Sequence, residues 1–555
     1  MQVRPLPPNE KTGARVRVAI GLILAAWIVC PSCVAQGPVL YTRGIMHDIT
    51  PEDAPQPGED IAAIEMIACR GESEPFSLGV YATADGAWTI EVSDLELRAD
   101  PAETIAASAV EVSLLSFGET PGHLGKGART TDWVLDVGAR SLHVAGGQTR
   151  RLWLTVHVPN DAAPGLYEGS FALKEGEGNG TVTVPLRVDV LPVNLEPVPD
   201  VQFALLWTVA FGQYHDEMTR AQRRPAALDL YRELRQHGMT CIAPKCSDWP
   251  YKSGQFEGLQ ACIEAAMQAG LEGPVVWHMA SLINGVKGCR QFAHYDGKCD
   301  NWSEARDLAH LTDIVTDVRR QGEANGWPEV VFCPADEPGT QTDDLAIRAL
   351  RLGTILPKGL RMIHDLGARG ATTMTEPVDD KHNRQWVQEP DELRRQWDMS
   401  RPDCQVRIYG YGYPQGTTGL AFEKADCARR GHEMWFYHNP SVMEGDRHQA
   451  RMFFGMWGWL VGADGLTAWT YPGGRTIQWE LVRDGIDDAK YLAILARLIE
   501  EKKGSATDLR EAQAFLDELR TSIELDEDGY LVDWQSVDFA AFKRRTAELI
   551  RKLAQ

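Results

Sequence analysis

The sequence predicts a multidomain fold: an amino-terminal β-sandwich, then a (β/α)8 TIM barrel, then a short carboxyl-terminal helical extension. Between residues 37 and 191, short alternating apolar runs are broken by Gly, Pro, Asp and Asn, a pattern typical of sandwich strands. Beyond a Pro-rich linker at 191–199, short apolar runs alternate with amphipathic helical stretches, which is typical of β/α units. We therefore divide the chain into a leader, the sandwich, the barrel and the extension, at residues 1–35, 36–196, 197–502 and 503–555.

The leader has the pattern of a secretory signal peptide. Lys11, Arg15 and Arg17 precede an apolar run at 18–29, and the tripeptide Cys-Val-Ala ends at Ala35. We expect cleavage near Ala35 and an exported mature protein, either periplasmic or secreted. The apolar run is too short to span a bilayer and no later stretch is long and apolar enough, so we expect no stable membrane insertion.

The charge balance and the cysteines narrow the class of protein. The chain carries 56 Lys and Arg against 78 Asp and Glu, a formal net charge of −22, which disfavours binding to nucleic acid. Removal of the leader takes two of the eleven cysteines and leaves nine, an odd number that forms no complete disulfide framework. Cys289 and Cys299 flank a polar loop and could pair. No Cys/His spacing resembles a zinc site, and no metal or organic cofactor is predicted.

Within the predicted sandwich, the clearest strands are 74–81 and 152–158. An Asn-Gly pair at 179–180 predicts a hairpin that joins 169–173 to 182–186. No cluster of exposed aromatic residues indicates a binding site in this domain. We therefore expect it to be a scaffold packed against the barrel.

The predicted barrel contains eight short apolar runs separated by helical stretches. The candidate strands are 203–208, 240–244, 275–279, 330–333, 361–364, 406–409, 434–437 and 465–469. The active site of such a barrel lies at the carboxyl ends of its strands. A doubly wound open sheet is the alternative fold.

Two adjacent carboxylates follow the fourth candidate strand. The apolar run ends in Asp336 and Glu337, and the chain-breaking pair Pro338 and Gly339 comes next. Burial at such a position penalises charge unless the carboxylates face a functional cavity. Two carboxylates that share a pocket suit a general acid working beside an ionised partner. The alternative is structural: the pair caps a following helix or lies in a solvated turn.

Several segments, taken in order, carry a resemblance to a known family. They are 68–76, 152–169, the triplet Asp336-Glu337-Pro338, 434–437, 465–469 and 481–492. As an ordered set they resemble glycoside hydrolase family 123 and the uncharacterised domains related to it, over nearly the whole mature chain. One segment departs from that pattern, because residues 471–475 replace what is usually a longer insertion after the last barrel strand. Such a loop could shape the sugar pocket, so the departure bears on which sugar is bound.

The resemblance implies a retaining exo-β-N-acetylgalactosaminidase in which the 2-acetamido group of the substrate is the nucleophile. Glu337 would be the general acid and later activate water, and Asp336 would accept a hydrogen bond from the acetamide N–H. No carboxylate is then needed on the opposite side of the sugar, so adjacent acids suffice. Neighbouring residues of a strand face opposite sides, so both side chains reach one pocket only if the strand breaks there, which Pro338 and Gly339 permit.

Six further residues at predicted strand ends are candidate substrate ligands. Tyr437 resembles the family's position for a tyrosine that could bond the acetamide carbonyl, and Trp469 could stack on a pyranose face. The candidates for binding hydroxyl groups are His278, Asp365, Tyr411 and Tyr413. Each has a structural alternative, which is packing for the aromatic residues and pairing with a nearby arginine for Asp365.

Two alternative functions stay open at this point. A glycosidase acting on a sugar without an acetamide group would pair Glu337 with a conventional second carboxylate, Asp365 or Asp248. The other alternative is a non-catalytic carbohydrate-binding surface protein, although a binding module has no need for two costly adjacent acids in a pocket. The expected partner is a glycan, and the resemblance favours one that contains N-acetylhexosamine.

Overall fold

The computed structural model describes residues 37–120, 130–176, 180–206, 220–244, 257–279, 303–338, 349–374, 390–411, 419–443, 446–469, 471, 474–526 and 529–554. The predicted leader, Asp248, Tyr413 and the pair Cys289 and Cys299 lie outside these residues. The described chain is a mixed fold, with a β-rich amino-terminal region followed by a region of parallel strands and helices. In the described part of the chain, no helix is long and apolar enough to cross a membrane.

The strands of the amino-terminal region form two separate sheets. In chain order they are β1 (Val39–Tyr41), β2 (Ile64–Arg70), β3 (Ser73–Ala82), β4 (Gly86–Val92), β5 (Leu95–Leu97), β6 (Asp100–Ile105), β7 (Val110–Thr120), β8 (Thr130–Val137), β9 (Ser141–Val144), β10 (Gln148–His157), β11 (Gly165–Glu175) and β12 (Thr181–Asn194). The first sheet has the order β1-β3-β10-β7-β8 and is antiparallel throughout. The second has the order β2-β12-β11-β4-β9, with β5 paired to β11 and β6 paired to β5.

One apolar cluster is shared by these two sheets. Leu78 and Leu154 from the first sheet belong to it, together with Ile90 and Val188 from the second, and all four side chains are buried. Trp153 packs instead in the core of the following region, because successive side chains of a strand point to opposite faces. The predicted hairpin does join β11 to β12. The complete β-sandwich stays a prediction.

The second region contains a curled parallel sheet. Its strands are β13 (Gln202–Leu206), β14 (Val275–His278), β15 (Val330–Asp336), β16 (Arg369–Met374), β17 (Val406–Gly410), β18 (Glu433–Tyr437) and β19 (Gly465–Trp469). They lie in the order β13-β19-β18-β17-β16-β15-β14. Ala243 forms a parallel bridge with Leu206 of one edge strand, and Ile242 forms one with Val275 of the other. Both edges therefore reach the same short segment, while a complete eight-stranded barrel stays a prediction.

Helices alternate with these strands and extend beyond them. They are α1 (Arg220–Gln236), α2 (Glu257–Ala269), α3 (Glu304–Asn325), α4 (Leu356–Asp365), α5 (Pro390–Ser400), α6 (Leu420–Arg430), α7 (Pro440–Met443), α8 (Arg447–Met452), α9 (Gly458–Val461), α10 (Ile477–Glu500), α11 (Ala506–Ser522) and α12 (Phe539–Leu553). A π-helical segment, Phe453–Trp457, joins α8 to α9. Apolar helix residues such as Leu311 and Ile314 form one outer core with Phe332 of the sheet.

The predicted fifth strand, 361–364, is wrong, because these residues belong to α4. Leu356, Leu360 and Ile363 are spaced by four and three residues and are all buried, so the apolar side chains follow a helical period. Gly367, with a φ of +69°, follows the end of the helix, and β16 begins two residues later. The sequence of β16, Arg-Gly-Ala-Thr-Thr-Met, contains only one large apolar residue. It therefore has no apolar run from which a strand could be predicted.

Candidate active site

The strand that carries the two acids has an irregular register just before them. Phe332 pairs with Gly370 of β16, but Ala335 pairs with Thr372, so β15 contains one extra residue in this interval. Pro334 lies in the same interval. Proline cannot donate a hydrogen bond to a neighbouring strand, and within sheets it is tolerated at such bulges.

The bulge changes which residues of β15 face the inside of the curled sheet. Val331 and Cys333 belong to the inner apolar cluster, whereas Phe332 and Ala335 pack in the outer core under the helices. Strict alternation from Val331 would have turned Asp336 outward. With the extra residue, Asp336 faces inward, where its side chain is 9% exposed.

Thr373, buried on the neighbouring strand β16, contacts both acids. Its hydroxyl group donates a hydrogen bond to Oδ1 of Asp336 and accepts one at 2.8 Å from the backbone N–H of Glu337. A hydroxyl group can donate and accept at the same time. One side chain therefore fixes the carboxylate of Asp336 and the backbone of Glu337.

The backbone leaves the extended conformation of β15 at Glu337, the residue directly after Asp336. The φ of Glu337 is +44°, in the left-handed region that costs a residue other than glycine about 1–3 kcal/mol. Its Oε1 accepts a hydrogen bond of 2.5 Å from the hydroxyl group of Tyr437, which ends β18. Since β18 lies three strands away from β15, the Glu337 side chain extends over the inside of the curled sheet. Strand β15 thus ends at Asp336, and the turn at Glu337 brings both acids to the same space.

Two more predicted residues lie on the same inner face. His278, fully buried at the end of β14, has its Nδ1 4.0 Å from Oδ1 of Asp336. Trp469, at the end of β19, packs against the inner cluster, and its backbone N–H donates to Oδ1 of Asn439 at 2.9 Å. The structure thus places His278, Asp336, Glu337, Tyr437 and Trp469 on one inner face, at the carboxyl ends of the strands.

Asp365 and Tyr411 are not brought to this face. Asp365 was expected after a strand, but it ends helix α4, is exposed, and pairs with Arg361 at 3.1 Å. Because that helix leads into the amino end of β16, Asp365 lies at the amino-terminal ends of the strands, whereas Asp336 lies at their carboxyl ends. Tyr411 packs against Trp457 in the outer core, and its hydroxyl group accepts a 2.7 Å hydrogen bond from the backbone N–H of Leu531.

Sequence reasoning missed two residues that hold this site in place, Thr373 and Asn439. Thr373 lies on the strand that the sequence did not reveal, although its Thr-Thr pair is β-branched and so favours a strand. Asn439 follows the end of β18 by two residues, and a polar residue just after a buried strand was the signal available. Among the described residues, no group of three or more His, Cys, Asp or Glu side chains could hold a metal ion. The carboxyl, hydroxyl and imidazole groups on the inner face suit proton transfer and hydrogen bonding by side chains.

Comparisons with known proteins address the fold. A scan against protein-family models and a search of curated proteins gave no match. Among solved structures, a family 123 glycoside hydrolase from Clostridium perfringens, analysed for glycolipid glycan hydrolysis, matches with a TM-score of 0.60 and 13% identity. The match covers 89% of this chain and 94% of that chain. The chain shares the fold of that hydrolase. At this identity the similarity concerns the fold alone, so activity must be argued from the site.

Two further solved structures match with lower scores. The catalytic domain of a β-amylase from Paenibacillus polymyxa has a TM-score of 0.33 at 10% identity, over 52% of this chain and 95% of that one. A fungal β-1,4-galactanase has a TM-score of 0.32 at 12% identity, over 51% of this chain and 98% of that one. These scores are too low to support an argument about this chain.

Proposed function

We propose that the protein is a glycoside hydrolase of the β-N-acetylhexosaminidase type, with Asp336 and Glu337 as its catalytic pair. The observation that carries the proposal is that both carboxylates face one inner space at the carboxyl ends of the strands. The Thr373 hydroxyl group fixes the first acid and the Tyr437 hydroxyl group bonds the second. The shared fold with a family 123 hydrolase supports the same proposal, and with it a (β/α)8 barrel behind a β-sandwich.

The arrangement favours substrate-assisted catalysis over a conventional pair of separated carboxylates. A conventional glycosidase places its two carboxyl groups on opposite sides of the scissile bond, about 5–10 Å apart. The inner residues at the carboxyl ends of β14, β16, β18 and β19 are His278, Thr373, Tyr437 and Trp469, none of which is a carboxylate. Asp365, the described alternative partner, lies at the amino-terminal ends of the strands. Among the described residues, this inner face therefore offers no second carboxylate apart from the adjacent pair, and we propose the 2-acetamido oxygen of the substrate as the nucleophile.

Each acid has a separate role in this mechanism. As the acetamide oxygen bonds to the anomeric carbon, Glu337 gives its proton to the leaving glycosidic oxygen, and an oxazolinium-like intermediate forms. Asp336 accepts a hydrogen bond from the acetamide N–H and stabilises the positive charge that develops there. Water then adds to the anomeric carbon and returns a proton to Glu337, which retains the configuration of the sugar. Tyr437, already within the site, can bond the acetamide carbonyl when substrate is present.

The remaining features of the proposal concern substrate and location. We propose a terminal β-linked N-acetylhexosamine as the substrate, with the galacto form favoured by the sequence resemblance. We also propose that the protein is exported after cleavage near Ala35. The chain contains no long apolar segment after residue 35, which is compatible with a protein that is exported in full.

The experiment that tests the reaction class compares three aryl glycosides with the wild-type protein. We expect release of 4-nitrophenol from the β-N-acetylgalactosaminide or the β-N-acetylglucosaminide and none from the plain β-galactoside, because the last has no acetamide nucleophile. Equal turnover of the plain galactoside would contradict substrate assistance and require a protein nucleophile. An absence of turnover with all three, together with an absence of release from natural N-acetylhexosamine glycans, would contradict the hydrolase itself.

Thr373→Val should lower kcat by about 10- to 100-fold, because a small displacement of catalytic groups is costly in rate. The change keeps the shape of the side chain but removes the hydroxyl group that links Asp336 to the Glu337 backbone. Thr373→Ser should restore most of the rate, since it returns the hydroxyl group. The matched control is Thr372→Val, which removes a buried hydrogen bond to the Ala335 carbonyl without touching either acid. Equal losses of kcat in the Thr372 and Thr373 variants would contradict a positioning role.

A further inference from the structure

A cavity opens between the two regions of the chain, and its lining is separate from the strand-end site. It has a volume of about 1010 Å³ and is lined by strands β2 and β3, by residues 43–47, by helix α10 and by the start of helix α12. None of the residues at the carboxyl ends of the parallel strands lines it. We call it the interdomain cavity. Its volume is at the upper end of the range typical of small-molecule pockets, about 300–1,000 Å³.

The wall of the interdomain cavity contains a buried carboxyl group, one oxygen of which has no hydrogen-bond donor among the described residues. Asp484 is 5% exposed, and its Oδ2 has no hydrogen-bond partner among the described residues. The Arg451 guanidinium is 3.8 Å from that oxygen, beyond hydrogen-bond length, because it donates to both oxygens of Asp488 at 2.6 and 2.9 Å. An unsatisfied buried acceptor is costly, so a ligand whose hydrogen-bond donor displaces the wall enough to reach this oxygen would bind favourably.

The wall contains one carboxyl group that titrates near neutral pH and, beside it, a group of charges that bond one another. Burial raises the pKa of Asp484 to about 7, against the opposing effect of Arg451 and Arg483, so its carboxyl group can donate as well as accept near neutral pH. Lys543 donates to Glu74 at 2.8 Å and also to Glu72, which fixes these three groups at the wall. Apolar surface is supplied nearby by Phe76, whereas the ring of Phe539 is buried under the Arg451 guanidinium.

The charges around the interdomain cavity nearly cancel. Seven acidic and six Lys or Arg side chains line it. A ligand with a net charge of either sign would meet like charges, whereas sugar hydroxyl groups both donate and accept hydrogen bonds and can satisfy either kind of side chain. The partly exposed ring of Phe76 can in turn cover an apolar C–H face of a pyranose.

From these observations we infer that the interdomain cavity is a second saccharide-binding site, specific for neutral sugars and distinct from the catalytic pair. The amino-terminal region is then part of a binding site, beyond the scaffold role that its sequence indicated. This inference does not depend on the proposed hydrolysis, because binding can be measured when no bond is cleaved.

The test is calorimetric titration of Glu337→Gln protein with lactose, N-acetyllactosamine and N,N′-diacetylchitobiose. Ala540, exposed on α12, lines the interdomain cavity, so Ala540→Trp should fill it without touching the buried charges. We expect at least one disaccharide to bind and its affinity to fall at least about tenfold in the Ala540→Trp background. The matched control is Ala541→Trp, one residue along the same helix, exposed, and outside the lining; it should keep the affinity.

Asp484→Asn gives an independent check, since it changes the buried carboxyl group and leaves the volume intact. It should also weaken binding about tenfold, with helical content and thermal midpoint recorded for both variants. Three results would overturn the inference: no binding of any of the disaccharides, binding that survives both Ala540→Trp and Asp484→Asn, or tighter binding of glucosamine or glucuronate than of neutral sugars. Loss of hydrolysis alone would overturn the proposed function and leave this inference standing.

Discussion

Glu337→Gln should lower kcat/KM for a 4-nitrophenyl β-N-acetylhexosaminide by about 10³-fold, within the range that general acid catalysis contributes. Glutamine has the same shape, and its carbonyl oxygen can accept the hydrogen bond that Tyr437 donates to Oε1 of Glu337. It cannot give a proton to the leaving glycosidic oxygen. The loss is measured from initial rates, and circular dichroism and the thermal midpoint show whether the fold is kept.

The leaving group provides the sharper test of this role. A 2,4-dinitrophenyl leaving group needs little protonation, so the loss caused by Glu337→Gln should shrink to about tenfold with that substrate. Glu329→Gln is the matched control, because Glu329 precedes the same strand at its other end, is half-exposed and pairs with Arg369 at 3.0 Å. It should leave kcat/KM within about twofold, as expected for an exposed ion pair of small energetic value. A loss that does not depend on the leaving group would rule out Glu337 as the general acid.

The parts of this fold that the sequence predicted are those with a local signal. Apolar runs bounded by polar segments marked β13, β14, β15, β17, β18 and β19, and the acid pair stood out because Pro338 and Gly339 follow it. Strand β16 escaped prediction because it is rich in small and β-branched residues, while the preceding helix carries the apolar residues. Because 361–364 was predicted as a strand, Asp365 was wrongly placed at a strand end, and Thr373 was not recognised as part of a strand.

The orientation of the acids depended on a feature that no local pattern contains. The bulge near Pro334 turns Asp336 inward, and it is visible only as a change of register against Gly370 and Thr372 of the neighbouring strand. Likewise, Tyr437 reaches Glu337 across a hundred residues of sequence. Such pairs are set by tertiary contacts, so the sequence could nominate the residues without showing how they meet.

A buried cluster between the two regions gives the largest expected effect on stability. Glu480 of α10 is fully buried and meets three basic groups: Arg483 at 2.7 Å, Arg475 at 2.9 Å and His237 at 3.1 Å. Arg475 also reaches Glu111 of strand β7 at 2.8 Å, so the cluster connects the parallel region to the amino-terminal sheets. Removing the one central carboxylate would leave the buried Arg483 and the partly buried Arg475 with fewer neutralising partners.

Glu480→Gln should therefore lower the free energy of unfolding by about 3–5 kcal/mol, the loss typical when one partner of a buried ion pair is removed. Urea denaturation measures it, with Glu500→Gln as the matched control, since Glu500 is exposed at the end of the same helix and should change stability by less than about 0.5 kcal/mol.

Burial alone would raise the pKa of Glu480, but Arg483 and His237 hold it well below its usual range. A depressed folded-state pKa stabilises the fold above the unfolded-state pKa of about 4.3, and this contribution disappears as the pH falls through the folded-state pKa. The difference between wild type and Glu480→Gln should accordingly be full at pH 7 and narrow below about pH 4, whereas a difference that stays constant with pH would assign the loss to packing instead of charge.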